Sequence, residues 1–113
     1  HDVARHVPEV HRHPLGADVV ELDRVARERL EAAGLGENFT HGLGHGVGLE
    51  IHEAPMMGPR SAGSIVAGMA ITVEPGAYLL GRGGVRIEDT LAVTASGSRV
   101  LTEAPRDLRV VGA

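Results

Sequence analysis

From residue 18 onward, apolar residues recur at helical spacing. Leu22, Val25, Ala26, Arg29, Leu30 and Ala33 fall on one helical face, mostly apolar. Asp18 followed by Glu21 is a capping-box-like start, and Gly34 supplies a left-handed stop. The pattern predicts a helix from about Val19 to Ala33, packed on a sheet. The period then changes to two. In GMAITVEPGAYLL, Ala70, Thr72 and Glu74 take one face of a strand, and Ile71 and Val73 take the other. GRGG, from Gly81 to Gly84, reads as a hairpin loop. In VRIEDTLAVT, Arg86, Glu88 and Thr90 share one face. Val85, Ile87, Leu91 and Val93 share the other, with Asp89 the exception. SGSRVLT adds a turn and a short strand. A glutamate on the polar face of each strand is, taken singly, an ordinary surface residue.

Between helix and strands the chain reads GLGENFT and then HGLGHGVGLEIHE. Phe39, the only phenylalanine, is placed to anchor the chain before His41. A lone buried histidine is usually a satisfied structural group. His41, His45 and His52 cannot all be that, and glycines at 42, 44, 46 and 48 argue for a site. Glycine permits close backbone approach and positive φ, so the chain can curl around a small ligand there. The opening HDVARHVPEVHRHPLG is less orderly. Pro8 interrupts any helix and Pro14 ends one. His1, His6, His11 and His13 are metal donors or tag-like remnants on a chemical reading. The plainer reading is a solvated, poorly ordered segment over residues 1–17.

Composition narrows the chemistry. The chain of 113 residues has no cysteine, so disulfides and thiolate metal sites are excluded and any metal must be held by His, Asp and Glu. Imidazole with carboxylate suits Zn, Mn, Co or Fe rather than Cu(I). A net charge of -4 offers no basic footprint for nucleic acid or anionic lipid. Aromatic content of 2% leaves the core to Val, Leu, Ile, Ala and Met, a thin set that points to a chain needing a partner. No apolar run reaches bilayer length and no signal-peptide pattern occurs, so a cytoplasmic location is expected.

Taken in order, HGLGHGVGLEIHE, ITVEPG and GVRIED resemble the metallopeptidases of the pita-bread fold. The branch they look most like is that of Xaa-Pro dipeptidase and aminopeptidase P. The methionine aminopeptidase branch is similar around GHG and HE, but EPG followed by VRIED favours the prolyl branch. The likeness covers about Asp18 to the C-terminus, where LTEAPRDL resembles the usual family ending. It implies an α+β fold, the second half of a pita-bread domain, with a helix packed on a curved antiparallel sheet over residues 18–113.

The same resemblance implies roles. His45 matches the histidine metal ligand, Glu74 a carboxylate ligand of the same metal, and Glu88 the carboxylate bridging two metals. His52 matches the histidine that contacts substrate and steadies the tetrahedral intermediate. His41 matches an outer histidine lining the pocket. Arg86 matches an arginine that organises the site, a purely structural ion pair being the alternative. Glu74 also matches the proton shuttle. The implied cofactor is a pair of divalent ions, Mn, Co or Zn. Two such ions about 3.5–4 Å apart generate a nucleophile at neutral pH and polarise the scissile carbonyl. The implied substrate is a dipeptide or peptide N-terminus with proline second.

The family's two aspartate ligands, from an earlier strand pair, have no match in Asp2, Asp18 or Asp23. With three of five ligands, the chain alone is expected to hold metal partly or not at all and to be inactive. It is also expected to form a homodimer or to associate with a missing N-terminal half. A non-catalytic relative serving binding or assembly, and a creatinase-like amidinohydrolase, are the alternatives.

Overall fold

A computed structural model describes residues 15–112, so the candidate donors His1, His6, His11 and His13 lie outside the described residues. Of the segment expected to lack order, residues 15–17 are described. The Gly16 N–H donates to the Ile65 carbonyl at 2.8 Å, and the Ile65 N–H to the Ala17 carbonyl at 2.9 Å. These bonds fix the entry to the helix.

Helix α1 spans Val19–Ala32. Asp18 caps it, its carboxylate accepting the Val20 N–H at 2.8 Å. The reciprocal half of a capping box does not form. Glu21 pairs instead with Arg24, which also reaches Glu28 along the exposed face. At the other end Gly34 has φ +76°. The Gly34 N–H donates to the Glu31 carbonyl at 2.9 Å and the Leu35 N–H to the Leu30 carbonyl at 2.8 Å. Both leucines are buried, which completes a Schellman stop. The stop is therefore at Gly34 as expected, and the helix ends at Ala32, one residue earlier than predicted.

Seven strands follow a single 3₁₀ turn at Gly36–Asn38: β1 Gly44–Gly46, β2 Glu53–Met57, β3 Ala70–Val73, β4 Gly76–Leu79, β5 Gly83–Arg86, β6 Asp89–Thr94 and β7 Gly97–Val100. Five form an antiparallel sheet in the order β2-β1-β3-β6-β7, and β4-β5 form a separate hairpin. Leu22, Ala26 and Leu30 of α1 pack with Leu43, Met57, Ile65, Ile71 and Leu91 in one core. Among the described residues no helix is long and apolar enough to cross a membrane.

Two long strands expected from the alternation are each broken once. The first stops at Val73 and resumes at Gly76, because Pro75 has no N–H to give the ladder. The second stops at Arg86 and resumes at Asp89. The halves beyond these breaks leave the main sheet for the β4-β5 hairpin. Val85, expected on the apolar face, is therefore half exposed, and the hairpin turn holds Leu80 in full contact with solvent. The polar face is not wet either, since Thr72 is buried.

The glycines of β1 have a different purpose from the one expected. None of Gly42, Gly44, Gly46 or Gly48 adopts positive φ. A Cβ at Gly44 would lie 2.0 Å from the Thr72 carbonyl oxygen, and one at Gly46 would lie 2.3 Å from that of Ala54. Close approach of neighbouring strands, not curling around a ligand, requires glycine here.

The helix carries one buried charge. Asp23 is only 1% exposed. It is paired with Arg27 at 3.0 Å and accepts the Leu43 N–H at 3.0 Å. Arg27 donates to the carbonyls of Phe39, at 2.8 Å, and His41, at 2.9 Å, and lies 4.2 Å over the Phe39 ring. Phe39 is buried, as its anchoring role requires. Asp23→Ala leaves Arg27 and the Leu43 N–H without their partner and is expected to destabilise the fold by about 3 kcal/mol. Urea denaturation should show a lower midpoint for Asp23→Ala and none for Arg24→Ala, whose ion pairs are exposed. Equal midpoints for Asp23→Ala and the parent would refute the clamp.

Candidate metal centre

His45 occupies the middle of β1. Its N–H donates to the Thr72 hydroxyl at 3.1 Å, which ties it to β3. The ring nitrogen Nδ1 donates to the Gly46 carbonyl at 2.8 Å, which fixes the orientation of the ring. Its Nε2 faces Oε2 of Glu74 at 3.3 Å. Oε2 is buried and has no hydrogen-bond partner.

Strand register brings in the third group. Thr72 pairs with Thr90 and Val73 with Asp89, so the next positions outward are Glu74 and Glu88. Both glutamates sit at the breaks where the chain passes from the main sheet to the hairpin. The Glu74 N–H donates to the Leu43 carbonyl at 2.8 Å, and the Ile87 N–H to the Pro75 carbonyl at 3.2 Å. His45, Glu74 and Glu88 each offer a ligand atom within 4.8 Å of the others. Glu88 is open to solvent on its outer side. Desolvation on its inner side raises its carboxyl above the ordinary carboxylate range, and the negative charge and hydrogen bond of Glu74 push the same way, against His45 and Arg86. One imidazole and two mutually repelling carboxylates, one with an orphaned buried oxygen, form a donor set that a divalent cation fits.

The other expected residues line the same region. The His52 ring is exposed, with its centroid 4.4 Å from that of His45. His41 is half-buried between Phe39 and Tyr78, at ring separations of 5.1 and 5.5 Å. Its Nδ1 donates to the Gly42 carbonyl at 2.7 Å, and its Nε2 accepts the Tyr78 hydroxyl at 2.7 Å. Arg86 is about half exposed and lies 3.6 Å from Oε1 of Glu74. A cavity of about 360 Å³ is lined by His41, His45, His52, Glu74 and Arg86. A second of about 420 Å³ adds Ile51, Thr72, Glu88 and Thr90. A larger one, about 550 Å³, lies away from this chemistry beside Leu35, Ala77 and Val85, and its lining offers no metal donor.

The expected ligands therefore converge, and Asp18 and Asp23, the described aspartates weighed against the family's missing pair, do not join them. Asp18 caps α1 and Asp23 pairs with Arg27. Sequence reasoning passed over Tyr78, Thr72 and the Asp23–Arg27 pair. A carboxylate within the apolar stripe of α1, with an arginine four residues on, was the available signal for the pair. The single tyrosine of a chain with 2% aromatics was the signal for Tyr78.

Comparison with known proteins agrees with this geometry. The model of metallopeptidase family M24 matches residues 5–95. The Xaa-Pro dipeptidase of Pyrococcus furiosus is 48% identical over 93 residues, covering 82% of this chain and 27% of that protein. The solved prolidase of the same organism superposes with a TM-score of 0.86 at 42% identity, over 91% of this chain and 31% of that one. The X-Pro aminopeptidase of Thermotoga maritima gives 0.86 at 38% identity, over 96% and 30%. The chain thus spans about a quarter to a third of the relatives it matches. Its helix and antiparallel sheet correspond to the C-terminal half of a pita-bread fold. With that fold, those three motifs in order and a matched span of most of the chain, it belongs to metallopeptidase family M24.

Proposed function

We propose that the chain supplies one side of a dinuclear metal centre in a peptidase that cleaves Xaa-Pro bonds in dipeptides or at peptide N-termini. The observation that carries this reading is the buried Oε2 of Glu74, without a hydrogen-bond partner, facing His45 Nε2 at 3.3 Å with Glu88 beside them. His45 and Glu74 would hold one divalent cation, and Glu88, on the open side, would help to hold it and a second. Mn, Co or Zn fits the donor set. A bound ion pair supplies an activated nucleophile at neutral pH and polarises the scissile carbonyl.

The chain's own residues do the remainder. Glu74 keeps its second oxygen toward Arg86 and moves the proton from nucleophile to leaving amine. Arg86 holds that oxygen in place while remaining exposed to the substrate side. His52 lies at the cavity mouth and donates to the developing oxyanion. His41, fixed by Tyr78, walls the pocket that receives the substrate. Further carboxylates come from a first half, whether in the same longer protein or in a partner chain. Apolar Leu79, Leu80 and Val85 on the exposed hairpin support association, as a homodimer or with that half.

In an enzyme completed by that first half, His45→Ala or Glu88→Ala is expected to abolish turnover and lower metal content by elemental analysis. Normal metal content with normal turnover in either variant would remove that residue from the ligand set. His52→Ala is expected to keep its metal and lose rate, roughly 10²–10³-fold. Metal loss equal to that of His45→Ala would make His52 a ligand. The isolated chain, supplied with Mn²⁺, is expected not to hydrolyse an Xaa-Pro dipeptide. Metal-dependent turnover by the pure chain would show that no first half is needed.

A further inference from the structure

Glu88 precedes β6 and has no ladder pair of its own, so its place depends on its neighbours. On the upstream side Ile87 is bonded to Pro75. On the downstream side Asp89 and Thr90 are held from two directions. β3 pairs with them on one edge. The segment after β7 grips them on the other. The Leu101 N–H donates to the Thr90 carbonyl at 2.8 Å, and the Thr90 N–H donates to the Thr102 hydroxyl at 2.8 Å. Arg106, seventeen residues along the chain from Asp89, returns to pair with its carboxylate at 2.5 Å. Asp89 is 4% exposed and ends the core-facing row of Leu91 and Val93. A carboxylate in that place needs charged compensation to stay there.

We propose that Arg106 is a positioning residue for the metal centre: by latching the 101–106 segment onto Asp89 it fixes the start of β6 and with it the carboxylate of Glu88. This rests on the metal-centre reading above. Arg106 acts through Asp89, whose side chain points to the core side while Glu88 points to the site. Without the guanidinium, Asp89 loses one of its partners and the start of β6 loses its hold on the 101–106 segment. A shift of the first residue of β6 carries Glu88 away from Glu74 and His45. The position of a metal ligand is then set in part by chain that lies beyond the last strand.

The test is a calorimetric titration of Mn²⁺ into the enzyme that contains this chain, with Arg106→Ala, Arg106→Lys, Thr102→Val and Arg109→Ala beside the parent. Arg106→Ala is expected to bind Mn²⁺ 10- to 100-fold more weakly, the usual effect of losing a residue that orients a ligand. Arg106→Lys should recover part of the loss, Thr102→Val should show a smaller one, and the exposed Arg109→Ala none. Turnover of Arg106→Ala should return at saturating Mn²⁺ while its urea midpoint without metal stays that of the parent, a combination that a merely loosened fold would not produce. Parent-like affinity in Arg106→Ala overturns the latch. Should that variant not fold, parent-like affinity in both Arg106→Lys and Thr102→Val overturns it equally. His45→Ala in the same titration separates the two claims. If His45→Ala loses Mn²⁺ and Arg106→Ala does not, the latch alone fails. If His45→Ala binds as the parent does, the metal-centre reading fails and the latch with it.

Discussion

The buried pair of Asp23 and Arg27 is the constraint on which the arrangement of the site depends. It stands on the core face of α1, and both partners spend their remaining hydrogen-bonding capacity on the backbone of another segment. Phe39, His41 and Leu43 are gripped at alternate residues, which sets the chain straight as it enters β1. Two residues past the last grip stands His45. A helix with a purely apolar face would bury more hydrocarbon, but it would leave the approach to β1 free to slide. Buried ion pairs contribute little net stability and much geometric definition when they are well hydrogen-bonded, as Asp23 and Arg27 are.

From β1 the definition passes across the sheet. Thr72 links β3 to His45, and the β3-β6 register sets Glu88 against Glu74. Neither glutamate lies inside a strand. Each occupies the short break where the ladder stops and the hairpin begins, so its side chain escapes the flat face of the sheet. The strand ends hold the two carboxylates close together, and burial together with the charge of Glu74 raises the carboxyl of Glu88. The divalent cation proposed for this site would relieve that tension.

Much of the fold was legible because local chemistry and long-range packing agree. Asp18, the 3.6-residue stripe and Gly34 mark α1 to within a residue at each end. The period-two pattern of Ile71, Val73, Leu91 and Val93 marks β3 and β6. What escaped were features decided by partners distant in sequence. Pro75 and Glu88 lie in runs that alternate well, and the missing N–H of Pro75 together with the departure of β4 and β5 into a second sheet explains why the ladder breaks there and why Val85 is half exposed. Glu21 follows the capping spacing, yet Arg24 competes for it successfully from the next turn. The grouping of His45, Glu74 and Glu88 was legible through motif resemblance, whereas the buried Asp23 and the returning Arg106 depend on contacts that no local window contains.

The fit of Gly44 and Gly46 between their neighbours bears on how this segment can vary. At both positions even one added methyl meets a backbone oxygen, and a backbone oxygen cannot rotate aside. Positions 41, 45 and 52 are restricted by chemistry, and 44 and 46 by space. Leu49 and Ile51, in contrast, stand in solvent with nothing to fill. Tolerance to substitution along this stretch should therefore alternate between nil and nearly free, and drift in sequence has its room at the tip of the loop. A variant library over residues 41–53 would thus sample far fewer folded proteins than its size suggests, with the diversity gathered where the loop meets the cavity mouth.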